Sequence, residues 1–145
     1  HKRSATIEVL DHTECVLGQG RFGTDTPGYK DMLALGRRYR DRVWAVEGCN
    51  GIGKHLAQRL IADGETVVDV PAKLPARTRV FSTGQGRKTD ATDAHSIALV
   101  ALHTSDLLRV RPDDHLVALR MLADRRDELA HRPHQHGQPP APAAA

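Results

Sequence analysis

The chain has 145 residues, enough for one domain with a buried core and no need of covalent staples. Hydrophobic residues at 39% and charged residues at 27% are ordinary for a globular domain, and no apolar run reaches membrane-spanning length. A net charge of +3 permits a nucleic-acid partner without demanding one, and two cysteines, Cys15 and Cys49, are too few for a disulfide framework or a cysteine metal cage.

Aromatic residues make up only 3% of the chain, so the core has to be built from Val, Ile, Leu and Ala. Ala5–Asp11 alternates and is rich in β-branched residues, which predicts a strand. Cys15–Phe22 predicts a second strand, joined to the first across His12-Thr13-Glu14 as a hairpin. Gly18 and Gly20 weaken it and mark a bulge or a sheet edge. Thr26-Pro27 offers a hydroxyl cap and a proline at the first helical position, predicting a helix to about Arg40 with Met32, Leu33, Leu35 and Tyr39 on its apolar side. Val43–Glu47 is short and nearly all apolar, as in a strand covered on both faces, with Trp44 in the core. A helix over residues 52–63 would bury Ile52, Leu56, Leu60 and Ile61, with Gly64 as its stop. Thr66–Val70 is a further buried strand, halted by Pro71. This order of elements predicts an α/β domain with a mixed sheet flanked by helices.

Lys73–Arg87 has no clear period and reads as a basic connection carrying Lys73, Arg77, Arg79 and Arg87. A helix is predicted over about Ala91–Leu102, with Ile97, Ala98 and Ala101 inward. Asp113-Asp114 opens a last helix with a partial Leu119, Leu122, Leu129 seam, the root of a helical arm. From Ala130 the composition turns to Pro, His and Ala, which predicts a disordered tail. The expected organisation is a domain at 1–112, an arm at 113–129 and a tail at 130–145. With no signal peptide opening the chain, the cytoplasm is the default compartment.

Three acids stand out. Glu47 ends an apolar strand, at the sheet edge where open α/β sheets bind ligands; a solvated strand-end glutamate is the plain alternative. Asp90 and Asp93 lie three residues apart, on one helical face, and can address one ion. Helix capping accounts for them equally well, Asp90 as the N-cap and Asp93 near the positive end of the dipole. The chemistry that uses such a set is phosphodiester cleavage with two Mg²⁺ about 4 Å apart. A further carboxylate would be needed between the ions, and Asp11, beside a turn, is a poor candidate.

At these residues the chain resembles the DEDD transposases of the insertion-sequence-110 family, which includes the Piv-type invertases. Ala45-Val46-Glu47-Gly48 matches the family's strand ending near Val-Glu-Gly, and Lys88-Thr89-Asp90-Ala91-Thr92-Asp93-Ala94 matches its Lys-x-Asp-x-x-Asp-Ala helix start. His1-Lys2 matches the tail of a first Asp-x-His-Lys motif. The resemblance implies a ribonuclease-H-like domain akin to the resolvase RuvC, with Glu47, Asp90 and Asp93 as catalytic Mg²⁺ ligands. It implies DNA as substrate, a structured guide RNA in studied relatives, and a homo-oligomeric parent. It also implies a first strand ending in Asp ahead of His1 and a serine-bearing C-terminal domain, so the expectation is a truncated fragment with little activity alone.

Three further readings stand beside it. The fragment is alternatively a catalytically dead nucleic-acid-binding domain. Gly48-Cys49-Asn50-Gly51-Ile52-Gly53-Lys54 has the spacing of a phosphate-binding loop, but His55 stands where a Mg²⁺-binding hydroxyl belongs. His131, His134 and His136 could hold a metal only adventitiously. Lys54, Arg87 and Lys88 are the candidate nucleic-acid contacts, or simply solvated charges.

Overall fold

A computed structural model describes residues 3–81, 89–115, 119, 122, 123 and 126. The first compact unit, 1–112, opens with strands β1 (Ser4–Leu10) and β2 (Val16–Gly23), paired antiparallel. The turn between them is built by Asp11, whose carboxylate accepts from the Thr13 amide (2.8 Å), the Thr13 hydroxyl (2.7 Å) and the Cys15 amide (3.0 Å). Those bonds hold the Asp11 carboxyl below the usual range, the Thr13 side chain foremost. The register slips between Val9 and Leu10, opposite Gly18, so the glycine-marked strand carries the expected irregularity.

Helix α1 (Thr26–Gly36) follows. Its cap is Asp25, not the expected Thr26: the Asp25 carboxylate accepts from the Gly28 amide at 3.0 Å, and Thr26-Pro27 lie inside the first turn. The helix also stops at Gly36 rather than near Arg40. A β-carbon at Gly36 would meet the Trp44 indole at 2.3 Å, so this glycine lets the helix end lie against the next strand.

Strand β3 (Trp44–Glu47), helix α2 (Lys54–Ala62) and strand β4 (Val67–Val70) form a parallel β-α-β unit, with Trp44 opposite Val67 and Glu47 opposite Val70. Residues 108–110 pair along the other side of β4, the Asp69 amide donating to Leu108 O (2.8 Å) and the Val110 amide to Val67 O (2.9 Å). Ile52 is 83% exposed, because α2 starts two residues later than the apolar spacing implies.

Lys73–Phe81 is helix α3, a correction to the irregular connection read from the sequence. Pro75 misled the reading, yet a proline in the first helical turn forfeits no intrahelical bond. It is fully buried. The last element of the unit is α4 (Asp90–His103). In the second unit, 113–145, the Asp113 carboxylate accepts from the His115 amide at 3.1 Å, and Leu119 and Leu122 are 61% and 67% exposed. Leu129 and the tail lie outside the described residues.

Alternation along the strands sorts residues into two faces. Ala5, Ile7, Phe22, Trp44, Val46 and Val67 pack with Tyr29, Met32 and Leu33 of α1 and Ala57 and Leu60 of α2. The opposite face of β1 and β3 meets α4. The result is an α/β fold with helices on both faces, as expected in coarse outline. The mixed pairing is there, but divided: β1–β2 and β3–β4 are separate two-stranded sheets.

Glu65, just before β4, is a buried acid with several partners. Its side chain is 3% exposed and accepts from Arg42 Nε and Nη2 (both 2.7 Å), Trp44 Nε1 (2.8 Å) and Arg37 Nε (3.1 Å). Arg42 chiefly, against the cost of burial, brings its carboxyl down to about 2.

Candidate active site

The Lys88–Ala94 motif opens α4, and its chemistry depends on what caps the helix. Thr89 caps it: the Thr89 hydroxyl accepts from the Thr92 amide (3.1 Å), and the Thr92 hydroxyl accepts from the Thr89 amide (3.0 Å). The expected capping role of Asp90 is thereby overturned. Asp90 is the first helical residue, its exposed carboxylate 3.7 Å from Arg21 Nη1 on β2. Asp93 follows three residues on, partly buried, in the same first turn. Exposed pairs such as Arg21–Asp90 are worth little, so Asp90 can exchange that partner for another cation.

Next to Asp90, a cleft of about 440 Å³ is lined by Thr6, Glu8, Gln19, Arg21, Thr89 and Ala94, among others. Its buried acid is Glu8, whose side chain is 4% exposed and bonds His95 Nδ1 of α4 and Gln19 Nε2 (2.6 Å). Sequence reasoning passed over this Glu8–His95 link, because Glu8 falls on the polar half of the alternation, opposite Ala5 and Ile7, and only the packing of α4 buries it.

Glu47 ends β3 and is partly buried. Alternation places it with Ala45 on the face that α4 covers, since Trp44 and Val46 join the core on the other side. It does not complete a cage with the aspartates: among the described residues no three His, Cys, Asp or Glu side chains come close enough to hold a metal. Asp90 and Asp93 share the first turn of α4, and Glu47 ends β3.

Beyond Glu47 the chain turns through Gly48, whose φ is +67°. The loop then closes on itself. The Gly51 and Gly53 amides donate to Gly48 O (2.8 and 3.0 Å), and the Cys49 amide donates to the Asp69 carboxylate (3.0 Å). Amides that a phosphate cradle would present are thus occupied, and Asp69 sets a carboxylate beside them, which disfavours the phosphate-loop reading. Cys49 is buried, and burial, reinforced by Asp69, pushes its thiol up to about 12. Lys54 is exposed at the start of α2, while Arg87, Lys88, His131, His134 and His136 lie outside the described residues.

Gly53 is the point where α2 meets this strand end. A β-carbon there would lie 2.4 Å from Glu47 O and 2.9 Å from Val46 Cγ1. Gly53→Ala is expected to displace the Glu47 peptide and to cost about 1–3 kcal/mol, read as a lowered denaturant midpoint. An unchanged midpoint would show that the strand end has slack.

These two motifs sit on the elements that their pattern requires, and a family model described as a transposase, of the DEDD IS110 type, matches residues 1–136. The chain belongs to that transposase family. It is also 32% identical over 99 residues to the insertion element IS116 uncharacterized 44.8 kDa protein of Streptomyces clavuligerus. That match covers 68% of this chain and 25% of the relative, so it spans about a quarter of that protein's length. No solved structure matches the transposase chain. Among the described residues, no helix is long and apolar enough to cross a membrane.

Proposed function

We propose that this chain is the nuclease-like part of an insertion-sequence transposase, which cuts DNA strands with divalent cations held by Asp90, Asp93 and Glu47. The capping of α4 carries the reading. Thr89, reciprocated by Thr92, caps the helix, so Asp90 is not spent as its cap; both aspartates lie in the first turn, where the helix dipole also favours a carboxylate. Asp90 and Asp93 on one helical face suit Mg²⁺, which is commonly held by one or two carboxylates, water and substrate phosphate oxygens rather than by a protein cage. Glu47, at the end of β3 on the α4 side, would supply the third carboxylate once DNA and ions draw the groups together. Bound ions supply activation of the attacking oxygen and charge stabilisation at the leaving oxygen.

The chain's own residues do the rest. Asp90 and Asp93 bind and orient, α4 holds them at a fixed spacing, and Lys54, Arg87 and Lys88 would contact backbone phosphates. A ribonuclease-H-like arrangement is the finer fold that we infer, supported by an antiparallel hairpin followed by a parallel β-α-β unit. DNA, a guide RNA, an oligomeric parent and a cytoplasmic setting belong to the same proposal.

Titration with Mn²⁺, followed by water-proton relaxation, tests the site and separates it from a catalytically dead DNA-binding module. The parent chain is expected to bind Mn²⁺, and Asp90→Asn with Asp93→Asn to weaken binding at least tenfold. Equal binding by parent and double variant overturns the assignment.

A further inference from the structure

The cation beside Asp90 is Arg21, and the cleavage reading gives it no task. Arg21 lies on β2 opposite Thr6 of β1. Ala5 and Phe22 point into the core, so alternation turns Thr6 and Arg21 to the other face of the hairpin, where α4 packs against β1. The Arg21 guanidinium is held at two points. Nε donates to Ser4 Oγ (3.1 Å), which fixes the stem along the hairpin, and Nη1 stands 3.7 Å from Asp90 Oδ2. The two contacts differ in kind. The first is a hydrogen bond within the hairpin. The second is a loose ion pair between side chains that are 66% and 54% exposed, which solvent and salt screen. Such a pair contributes little to stability, so stability is a poor account of Arg21. Its place is a better one: Arg21 and Asp90 line the same cleft of about 440 Å³, together with Gln19 and Thr89.

We propose that Arg21 is a DNA-phosphate contact held in reserve by Asp90: it is released when Asp90 takes a divalent cation, and it then binds the DNA backbone beside the site. The inference rests on the reading of Asp90 as a cation ligand given above. Competition is the first argument. A carboxylate that binds a divalent ion gives up most of its attraction for an arginine, and the ion repels the guanidinium as well. The Arg21 stem stays on Ser4 while the Nη end swings away from Asp90. Chemistry supplies the second. The planar fork of arginine matches the oxygens of a phosphate, and those charge-assisted bonds are stronger than the loose contact at 3.7 Å that is given up. Location supplies the third. Arg21 and Asp90 share a cleft, so the phosphate that takes Arg21 comes to rest next to the carboxylate that holds the ion. Cation and DNA therefore favour each other's binding through Arg21, a coupling that is reciprocal as every binding linkage is. The favoured order is cation first and DNA second.

The test is a double-variant cycle on the full chain, with Mn²⁺ affinity read by water-proton relaxation and DNA affinity by the fluorescence anisotropy of a labelled short duplex. Without DNA, Arg21→Gln is expected to bind Mn²⁺ about threefold more tightly than the parent, the scale of an exposed ion pair, because the competing cation is gone. The same variant is expected to lose about threefold more DNA affinity in Mn²⁺ than in EDTA. In EDTA, Asp90→Asn is expected to raise DNA affinity more when Arg21 is present than in the Arg21→Gln background, since only the arginine can be released. An equal loss in Mn²⁺ and EDTA makes Arg21 an ordinary backbone contact and overturns the proposal, as does a chain that binds no duplex in either. Mn²⁺ binding that Asp90→Asn with Asp93→Asn weakens, but that is indifferent to Arg21→Gln, overturns the proposal alone and leaves the cleavage reading standing. A parent chain that binds no Mn²⁺ overturns both.

Discussion

Glu65→Ala is expected to lower stability by about 3–5 kcal/mol, the range for breaking a buried ion pair by removing one partner. The carboxylate is the shared acceptor of Arg37, Arg42 and the Trp44 indole, and it ties the segment after α1 to the start of β4. Without it the Arg42 guanidinium, 26% exposed, loses both of its shortest bonds. At this chain length the loss corresponds to roughly 10–20 °C in Tm. The pH dependence has a definite sign. The Glu65 carboxyl titrates near 2 in the folded chain against an ordinary 4.5, so its contribution is complete above 4.5 and disappears as pH falls toward 2. The Tm gap between parent and variant is thus expected to be widest above pH 5 and to narrow below 4.5. A gap that stays constant from pH 6 to 3 would mean that Glu65 acts through shape and not through charge.

Leu60→Ala is the second large effect, about 2–5 kcal/mol for an aliphatic side chain emptied from a closed core. Leu60 is 0% exposed and packs in the cluster that joins α1, α2 and the inner faces of β1 and β3. The loss reaches the candidate site through α2, whose first residues follow Gly53, the glycine set against the Glu47 carbonyl. Urea unfolding is expected to show a lower midpoint with an unchanged slope. A reduced slope would instead indicate a native state that has already loosened around α2.

Most strands and helices were legible because their signals are local. Alternation marked β1, the apolar run Val43–Val46 marked β3, and Gly64, with φ at +84°, closed α2 as a C-terminal glycine does. The misreadings have local causes as well. A proline concealed α3, because position within the turn decides whether proline breaks a helix. The ends of α1 were assigned to the wrong partners, since Asp25 outcompetes Thr26 for the Gly28 amide and Gly36 is stopped by a tryptophan eight residues downstream.

The site divides in the same way. Its residue types and spacings, Glu47 on a strand end and Asp90 with Asp93 on one helix face, are properties of the linear chain, and they sufficed to name the family before any contact was known. Whether an aspartate is a cap or an available ligand is not such a property. Asp90 and Thr89 are adjacent, both have capping side chains, and only the backbone at the start of α4 decides which one takes the Thr92 amide. Strand pairing was equally hidden. Composition and periodicity specify that a segment is a strand, but which strands pair, and in which sense, is decided by contacts between residues far apart in sequence.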